Sequence, residues 1–309
     1  MRLIKAQLEE IIDRALAEDL SWGDVTTEIL IPNDQQGIAF IVAKEQGVLA
    51  GVDVAREVFH RVDPELKIDA LLKDGAKVDS SSIITRVEGR VASILNSERV
   101  ALNFLQRLSG IASETNRYVE SVKGLPVRIM DTRKTTPGLR LLEKYAVGVG
   151  GGENHRMNLG DGILIKDNHL AALRSRGLSI KEIVAQAREN ASLSLRAAPS
   201  LSLRGVKRRS NLQAKQTQIE VEVRTVPEAI EAAKAGADII MLDNMSLEDM
   251  REAIKLIHSR ALIEASGGIT LDRVRAVAET GVNFISVGAL THSAKALDIS
   301  LELESLSKE

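Results

Sequence analysis

Apolar side chains recur every three or four positions near the start of the chain, and in short continuous runs further along it. Between residues 3 and 18 this spacing predicts an amphipathic helix, and a polar, turn-rich segment follows at 18–27. Short alternating runs separated by glycines predict strands within 37–93. Ser97 is a candidate cap for a long helix over 98–122. The first third of the chain is therefore predicted to form an α+β domain.

The spacing of apolar residues changes in the remainder of the chain. Apolar runs predict buried strands at 127–130, 162–165, 219–223, 238–242, 262–265 and 284–287. The last four begin about 20 residues apart and are separated by predicted helices, as in consecutive βα units of a parallel barrel. The helix at 227–235 has Pro227 in its first turn and ends at Gly236, which matches the preferences of proline and glycine at helix ends.

Polar or glycine-rich sequence occurs at the C-terminal end of every one of these predicted strands. The strand ends are Asp131-Thr-Arg-Lys134, Lys166-Asp-Asn-His169, Glu222, Asp243-Asn244, Ser266-Gly-Gly268 and Gly288-Ala-Leu290. In a βα barrel the C-terminal ends of the strands meet on one face, and that face carries the active site. The sequence therefore predicts one site assembled from six strand ends.

The segment 131–140 is the most informative of these ends. It combines three cations with three hydroxyl groups: Arg133, Lys134, Arg140, Thr132, Thr135 and Thr136. Arg156 and Lys166 add positive charge downstream. This composition beside apolar strands predicts a site for a small anion with several oxygen atoms. A lysine at a strand end, Lys134 or Lys166, is also a candidate Schiff-base nucleophile.

Among the histidines, His155 is the strongest functional candidate because Arg156 adjoins it. His155 and His169 do not have the spacing of a zinc pair on one helix. His60, His258 and His292 are predicted to be surface residues.

Two glutamates, Glu220 and Glu222, alternate with the apolar residues of 219–223. They are either solvated side chains on an edge strand or an acidic pair on the inner face of the barrel. The second arrangement requires neutralising cations or a metal ion. Asp243, one βα unit later, favours it, and such carboxylates suit Mg²⁺ or the hydroxyl groups of a ribose.

Glycine-bearing turns follow the last two predicted strands, at Ser266-Gly-Gly-Ile269 and Val287-Gly-Ala-Leu290. Exposed backbone N–H groups in such turns bind phosphate, although a simple tight turn has the same composition. The run 148–153 is also glycine-rich but fits neither a P-loop nor a dinucleotide fingerprint, and we interpret it as flexible backbone near the ligand.

Residues 192–217 interrupt the pattern. Ser192-Leu-Ser-Leu-Arg196 is repeated at 200–204, and the segment holds six basic residues and no acidic ones. We interpret it as an inserted surface loop, because loop-closure entropy rises slowly with length. The alternative is a basic contact for nucleic acid or an acidic partner, but aromatic residues for base stacking are missing.

Composition narrows the class of protein. The 309 residues are 44% hydrophobic and 2% aromatic, which predicts an aliphatic core of considerable size. The absence of cysteine excludes disulfides, thiolate metal sites and a cysteine nucleophile. A net charge of −2 argues against generic nucleic-acid binding. The sequence has neither a membrane-length apolar run nor a signal-peptide core, so a soluble cytoplasmic protein is expected.

Specific motifs extend these predictions. They are Glu18-Asp-Leu with Gly23-Asp-Val-Thr-Thr27, Glu98-Arg-Val-Ala-Leu-Asn103 running on to Ala112, the 131–140 segment, Gly151-Gly-Glu-Asn-His-Arg156, Leu242-Asp-Asn244 and Glu264-Ala-Ser-Gly-Gly-Ile269. Together they resemble the quinolinate phosphoribosyltransferase (nicotinate-nucleotide pyrophosphorylase) family from about residue 11 to 299, apart from the insertion. A related molybdenum-utilisation protein usually carries a modified Thr-Arg-Lys-Thr motif, whereas the motif here is unmodified.

This resemblance implies a fold and a reaction. The fold is α/β: an N-terminal α/β sandwich at 1–112, an incomplete (open) βα barrel of the type II phosphoribosyltransferase kind at 113–290, and a C-terminal segment, 291–309, that packs back on the first domain. The reaction joins quinolinate to phosphoribosyl pyrophosphate with Mg²⁺ and gives nicotinate mononucleotide, pyrophosphate and CO₂. No organic cofactor is required. Alternatives from other classes are a Schiff-base aldolase and a non-catalytic binding scaffold.

The resemblance also implies residue roles. Arg133, His155 and Arg156 line the quinolinate pocket, and Arg99 arrives from the partner subunit of a homodimer, with a hexamer left open. Thr132 belongs to the same motif, and Lys134 and Lys166 contact quinolinate or pyrophosphate. Glu222 and Asp243 hold the ribose hydroxyls and Mg²⁺ and, with Lys134, form the catalytic set. The 5′-phosphate site comprises Ser266, Gly267, Gly268, Val287, Gly288 and Ala289.

Overall fold

The structure, a computed structural model, describes residues 4–197 and 218–305. From residue 198 onward, the predicted basic insertion lies outside the described residues. The chain divides into two compact units, and each draws on several stretches of sequence. Unit 1 comprises Met1–Ser121, Ile129–His155 and Gly288–Glu309, and unit 2 comprises Val122–Arg128 and Arg156–Val287.

Helices and strands alternate along most of the chain. The helices are α1 (Lys5–Leu20), α2 (Val25–Leu30), α3 (Val52–Val62), α4 (Val91–Ser121), α5 (Arg140–Val149), α6 (Asp167–Arg174), α7 (Ile180–Ala197), α8 (Val226–Lys234), α9 (Leu247–Ile257), α10 (Val274–Ala278) and α11 (Ala289–His292). The strands are β1 (Gln36–Ala43), β2 (Gly47–Val48), β3 (Lys67–Ala70), β4 (Lys77–Val78), β5 (Ile83–Arg90), β6 (Arg128–Met130), β7 (Ile163–Ile165), β8 (Ile219–Val223), β9 (Ile239–Asp243), β10 (Leu262–Ser266), β11 (Phe284–Ser286) and β12 (Ile299–Ser305).

Unit 1 is built on an antiparallel sheet in the order β12-β1-β5-β3. β1 is central, and its Ile41 lies opposite Leu301 on one side and Thr85 on the other. The long helix α4 packs against β1, β5 and β12 and also against α1 and α3. Its Leu105 and Ile111 are fully buried, so the core lies between this helix and the sheet. The predicted α/β character of this region is confirmed.

The predicted start of the long helix was wrong. α4 begins at Val91, and Ser97 is inside it, buried, with its hydroxyl donating to the carbonyl of Ser93 at 2.7 Å. A serine hydroxyl bonded to the carbonyl four residues earlier is satisfied within the helix, so it does not cap it. Val91 and Ile94 extend the buried face upstream, which the capping signal alone did not reveal.

Unit 2 contains a parallel run of strands in the order β11-β10-β9-β8-β7. Each agrees with its predicted position within about a residue or two at either end, and helices α7 to α10 occur between strands along the chain. β8 is paired on both sides and all five of its residues are buried, so the edge-strand interpretation of Glu220 and Glu222 is wrong. The residues upstream of β8 therefore do not prevent it from forming.

The predicted ends of helix α8 are confirmed. Thr225 caps its N-terminus by accepting from the N–H of Glu228, and Pro227 lies in the first turn. Gly236, just past the C-terminus, has φ +84°, a backbone conformation that side chains with a Cβ rarely adopt. Among the described residues, no helix has both the length and the apolar composition needed to cross a bilayer.

Two helical glycines of unit 1 offer a test of how closely other segments pack against α4 and α5. A Cβ at Gly110 of α4 would lie 2.0 Å from the carbonyl oxygen of Lys295, whereas a Cβ at Gly148 of α5 would meet nothing within 4 Å. We expect Gly110→Ala to lower the free energy of unfolding by on the order of 2 kcal/mol through overpacking. Gly148→Ala should raise it by roughly 0.5–1 kcal/mol because alanine loses less backbone entropy. Urea unfolding monitored by circular dichroism would measure both changes. Equal stabilities of the two variants would contradict the close approach of Gly110 to Lys295.

Candidate active site

The candidate residues fall into two groups, one in each unit. Unit 1 carries Arg99, Thr132, Arg133, Lys134, His155, Gly288 and Ala289. Unit 2 carries Arg156, Lys166, Glu222, Asp243, Ser266, Gly267, Gly268 and Val287.

In unit 1 a loop of residues 131–139 follows β6, and its own polar side chains hold its backbone. The N–H of Lys134 donates to Oγ1 of Thr132 at 3.0 Å. Arg140 donates from Nε to Oγ1 of Thr135 at 2.9 Å and from Nη2 to the carbonyl of Arg133 at 3.3 Å. Several cations and hydroxyls that the sequence marked as ligand donors therefore also shape the loop.

Two cations of this loop have no anionic partner in the part of the chain that the structure describes. Nε of Arg133 is buried and has no hydrogen-bond partner there. The ammonium group of Lys134 is exposed and has no carboxylate within 4.0 Å among residues 4–197 and 218–305. A buried, unsatisfied guanidinium N–H is costly unless a ligand accepts from it. The loop is therefore suited to bind an anion.

A buried ion pair braces the start of the loop against His155. Asp131 and Lys144 are fully buried, and the Lys144 ammonium donates to Asp131 and, at 3.0 Å, to the carbonyl of His155. Asp131 also accepts from the side chain of Asn154 at 2.7 Å and from the N–H of His155 at 2.9 Å. Burial raises the pKa of Asp131 above its usual value, and the charge of Lys144 is the main opposing influence.

His292 is a candidate that the sequence interpretation did not assign to the site. It is exposed, as predicted, but its side chain points toward Gly288. A Cβ at Gly288 would lie 3.0 Å from Nε2 of His292 and 3.2 Å from Cδ of Lys134. The side chains of His292 and Lys134 thus converge on one glycine. The available signal was its position, four residues after Gly288 at the last strand end.

In unit 2 charges of opposite sign alternate at the strand ends. Nζ of Lys166 lies 3.3 Å from Oε2 of Glu222. Arg224, just after β8, approaches Asp167 at 2.9 Å and Asp243 at 3.4 Å. Sequence reasoning missed Arg224, because nothing in its spacing distinguishes it from a surface residue. It placed Asp167 at a strand end but gave it no role. The pairing of Lys166 with a carboxylate suits a lysine that acts as a cation rather than as a Schiff-base nucleophile.

His169 has a local structural role. Its Nδ1 accepts from the N–H of Lys166 at 3.0 Å, which closes the first turn of α6. This contact satisfies a backbone donor that the helix itself leaves open.

The acidic residues of β8 lie inside unit 2. Glu220 and Glu222 are 6% and 7% exposed, and Glu264 on β10 is 1% exposed. Glu222 and Glu264 both pair with Met241 of the intervening strand, so they lie at the same level on the same face of the sheet. The solvated interpretation of this acidic pair is therefore wrong, and Glu264 is a third buried carboxylate on the same face.

The turn after β10 requires glycine. Gly267 and Gly268 have φ +88° and +58°, and a Cβ at Gly267 would lie 2.5 Å from Cγ of Asn244. Asn244 itself has φ +55° and donates its N–H to the carbonyl of Ser266 at 2.9 Å. The backbone of Ser266–Gly268 therefore packs against the residue that follows Asp243, which brings the glycine turn and the acidic strand end of β9 together.

Comparison with known proteins places these observations in a family. The family model for the quinolinate phosphoribosyl transferase N-terminal domain matches residues 24–109, and the model for the C-terminal domain matches residues 111–198 and 197–302. A probable nicotinate-nucleotide pyrophosphorylase [carboxylating] of Bacillus subtilis (strain 168) is 42% identical over 303 residues, covering 98% of this chain and 95% of the relative.

A plant relative and a solved structure agree with this family. A mitochondrial quinolinate phosphoribosyltransferase [decarboxylating] 2 of Nicotiana glauca is 40% identical over 96% of this chain and 82% of its own. The crystal structure of NadC from Streptococcus pyogenes superposes with a TM-score of 0.87 at 42% identity, covering 99% of this chain and 100% of that one. The α/β fold class expected from the sequence is thereby confirmed.

The buried Asp131–Lys144 pair predicts a pH-dependent stability defect. Lys144→Met removes the main influence that opposes burial, so the pKa of Asp131 should rise further above its ordinary value of 3.8. The folded variant then retains a proton on Asp131 at pH values where the unfolded chain has lost it. Its stability therefore falls as pH rises through this window. Urea unfolding should show a loss on the order of 3 kcal/mol at pH 8 and a smaller loss at pH 5.

The double variant Asp131→Asn/Lys144→Met is the control. It has no carboxylate to titrate at position 131, so its stability relative to wild type should depend less on pH than that of Lys144→Met. An equal loss at both pH values in the single variant would mean that the pair contributes packing alone.

Proposed function

The chain belongs to the quinolinate phosphoribosyltransferase family, and from that premise we propose that it transfers phosphoribosyl from phosphoribosyl pyrophosphate to quinolinate. Loss of CO₂ then gives nicotinate mononucleotide, with pyrophosphate as the second product, in de novo NAD biosynthesis. The enzyme is a pentosyltransferase, a nicotinate-nucleotide diphosphorylase (carboxylating). The observation that carries the proposal is the loop after β6, where Arg133 has a buried donor without a partner among the described residues and Lys134 is an unpaired cation.

Quinolinate carries two carboxylates, and bidentate arginine is the best-matched protein group for them. We assign Arg133, His155 and Arg156 to this substrate, with Thr132 in the same loop. The brace of Asp131 and Lys144 supports the assignment of His155, because it fixes both the N–H and the carbonyl of that residue.

Phosphoribosyl pyrophosphate requires sites for a 5′-phosphate, a ribose and a pyrophosphate. We assign the 5′-phosphate to Ser266, Gly267 and Gly268 and to Val287, Gly288 and Ala289, since glycine turns present backbone N–H groups to anions. Glu222 and Asp243 are placed at the ribose hydroxyls. Lys134 and Lys166 are placed at the pyrophosphate or at quinolinate.

The chemistry of Glu222 and Asp243 fits Mg²⁺. Both offer carboxylate oxygens, the ligands that Mg²⁺ prefers, and such sites typically combine one or two carboxylates with substrate phosphates. Both are also paired with cations, Lys166 and Arg224, so their charge is balanced without the ion. When bound, Mg²⁺ supplies charge neutralisation at the pyrophosphate. No organic cofactor enters the proposal.

The residues of the chain then act on charge that develops during the reaction. The quinolinate nitrogen forms a bond to the anomeric carbon of ribose as the bond from that carbon to pyrophosphate breaks. Glu222 and Asp243 stabilise the positive charge on the ribose, and Lys134 stabilises the negative charge on the departing pyrophosphate. The bond to the carboxylate beside the ring nitrogen then breaks, its electron pair is stabilised by the quaternised nitrogen, and a proton replaces CO₂.

A homodimer with shared active sites is part of the proposal, and a hexamer of such dimers is compatible with it. An apolar patch of unit 1, formed by Trp22, Val25, Ile29 and Leu30, is largely exposed, with Trp22 at 93%. Contiguous exposed apolar surface marks interaction sites. Arg99 on α4 is 58% exposed, and its charged partner is the adjacent Glu98 at 3.8 Å. It is therefore available to a second subunit.

We place the domain division near residue 112, with the barrel at 113–290. We place the enzyme in the cytoplasm, because its substrates are small, charged and water-soluble.

The first test is turnover. Purified protein with quinolinate, phosphoribosyl pyrophosphate and Mg²⁺ should form nicotinate mononucleotide, measured by chromatography. Arg133→Ala should lower kcat/KM by about 100-fold or more, since a fixed charge that binds the substrate is lost. Arg61→Ala, which breaks an exposed pair with Asp13, is the matched control and should retain activity. No product from wild-type protein would refute the proposed reaction.

Shared active sites are tested by mixing inactive variants. Arg99→Ala and Lys134→Ala should each be nearly inactive as purified homodimers. Co-expressed chains should regain about one quarter of wild-type activity, because half of the dimers are mixed and each mixed dimer has one intact site. No recovery in mixed dimers isolated with two affinity tags would show that both residues act within one chain.

A further inference from the structure

Arg107 and Glu143 form an ion pair in unit 1 between helices α4 and α5. Glu143 is fully buried, and Arg107 donates to its Oε1 from Nη2 at 2.8 Å and from Nε at 3.2 Å. Both nitrogens thus donate to the same carboxylate oxygen. A buried ion pair is weak evidence for stability, because desolvation offsets much of the attraction. The contacts that the pair makes with other segments indicate another role.

The first set of contacts leads to the loop after β6. Glu143 accepts from the N–H of Thr136 at 3.0 Å and from its hydroxyl at 2.7 Å. Thr136 is two residues past Lys134. The next residues, Pro137, Gly138 and Leu139, line a cavity of about 360 Å³. The carboxylate of Glu143 therefore anchors the loop at Thr136, beside this cavity.

The second set of contacts leads to the same lysine through Thr291. Arg107 donates from Nη1 to the carbonyl of Ala294 at 3.0 Å and from Nη2 to the carbonyl of Thr291. The hydroxyl of Thr291, which is fully buried, donates to the carbonyl of Lys134 at 2.8 Å. The segment that Arg107 fixes thus holds the backbone of Lys134 directly.

We propose that Arg107 and Glu143 are a positioning pair that sets the location of Lys134 in the reaction. The inference rests on the proposed function, in which Lys134 meets the departing pyrophosphate. Neither residue of the pair contacts substrate. They act through Thr291 and Thr136, which secure the backbone at Lys134 and two residues after it to two helices of unit 1.

This role predicts a particular kinetic signature. The negative charge on pyrophosphate grows as the bond to ribose breaks, so a displaced Lys134 loses an interaction that is strongest in the transition state. Such a loss lowers kcat more than it raises KM. Substitution of a residue that only stabilises the fold would lower the melting temperature and leave kcat per folded molecule unchanged.

The experiment is a kinetic double-mutant cycle. Glu143→Gln retains the shape of the side chain and removes its charge. In the wild-type background it should lower kcat by about 10- to 100-fold, because a displacement of about 1 Å can have an effect of this size. In a Lys134→Ala background the same change should lower kcat by no more than about 2-fold, since the group through which it acts is already gone.

Asp63→Asn is the matched control. Asp63 is also a buried carboxylate of unit 1 paired with an arginine, Arg90, but its contacts are with Arg90, Ser93 and the N–H of Glu65. It should lower the melting temperature and leave kcat per folded molecule at the wild-type value. Thr291→Val removes the hydroxyl that bonds Lys134 with little change of volume, and it serves as the test if Glu143→Gln does not fold. It should lower kcat by about 5-fold or more, with the same non-additivity.

The outcomes distinguish a failure of the proposed reaction from a failure of the positioning role. Inactive wild-type protein would overturn the proposed function and this inference with it. Active wild-type protein combined with an unchanged kcat in Glu143→Gln, or in Thr291→Val where that variant stands in, would overturn the inference alone. An equal fold loss with and without Lys134 would also overturn it, because the pair would then act elsewhere.

Discussion

A carboxylate that is buried away from water requires hydrogen-bond donors from the protein. Asp131 has this requirement, and several segments of unit 1 are held in place by meeting it. Its side chain is fully buried at the end of β6, where it accepts from Lys144, Asn154 and the backbone of His155. These donors come from a helix and from a later segment, so satisfying one carboxylate brings three stretches of unit 1 together. The segments it joins carry Arg133, Lys134 and His155.

Helix α5 carries a second buried charge, at the residue before Lys144, that is also satisfied by partners from other segments. Glu143 and Lys144 are consecutive and both fully buried, and successive helical residues point about 100° apart. Glu143 faces Arg107 and Thr136, whereas Lys144 faces Asp131 and His155. One short helix thus anchors the loop at Asp131 and at Thr136 with opposite charges. Arg133 and Lys134, which have no anionic partner among the described residues, lie between these two anchors.

Unit 2 manages charge differently. At neighbouring strand ends, Lys166 pairs with Glu222 and Arg224 pairs with Asp243. The charge of each carboxylate is therefore balanced by a cation. These pairs have partly exposed cations, which a polyanionic substrate can recruit. The glycine turn at Gly267 lies against Asn244, the residue after Asp243, so its backbone and the acidic strand end form one surface. An array of this kind suits a ligand with both hydroxyl and phosphate groups.

The sequence by itself determined the strands of unit 2, the glycine turns and the strand-end residues, because a period of two or a short apolar run specifies a buried strand locally. It also carried the motifs by which the family is identified. Tertiary structure alone decided that α4 begins at Val91, that Glu220 and Glu222 are buried, and that His292 lies beside Lys134. It also decided the partners of Asp131, Glu143 and Arg224. Each of these depends on groups distant in the chain, and the burial that makes a charged contact necessary exists only after the segments have packed.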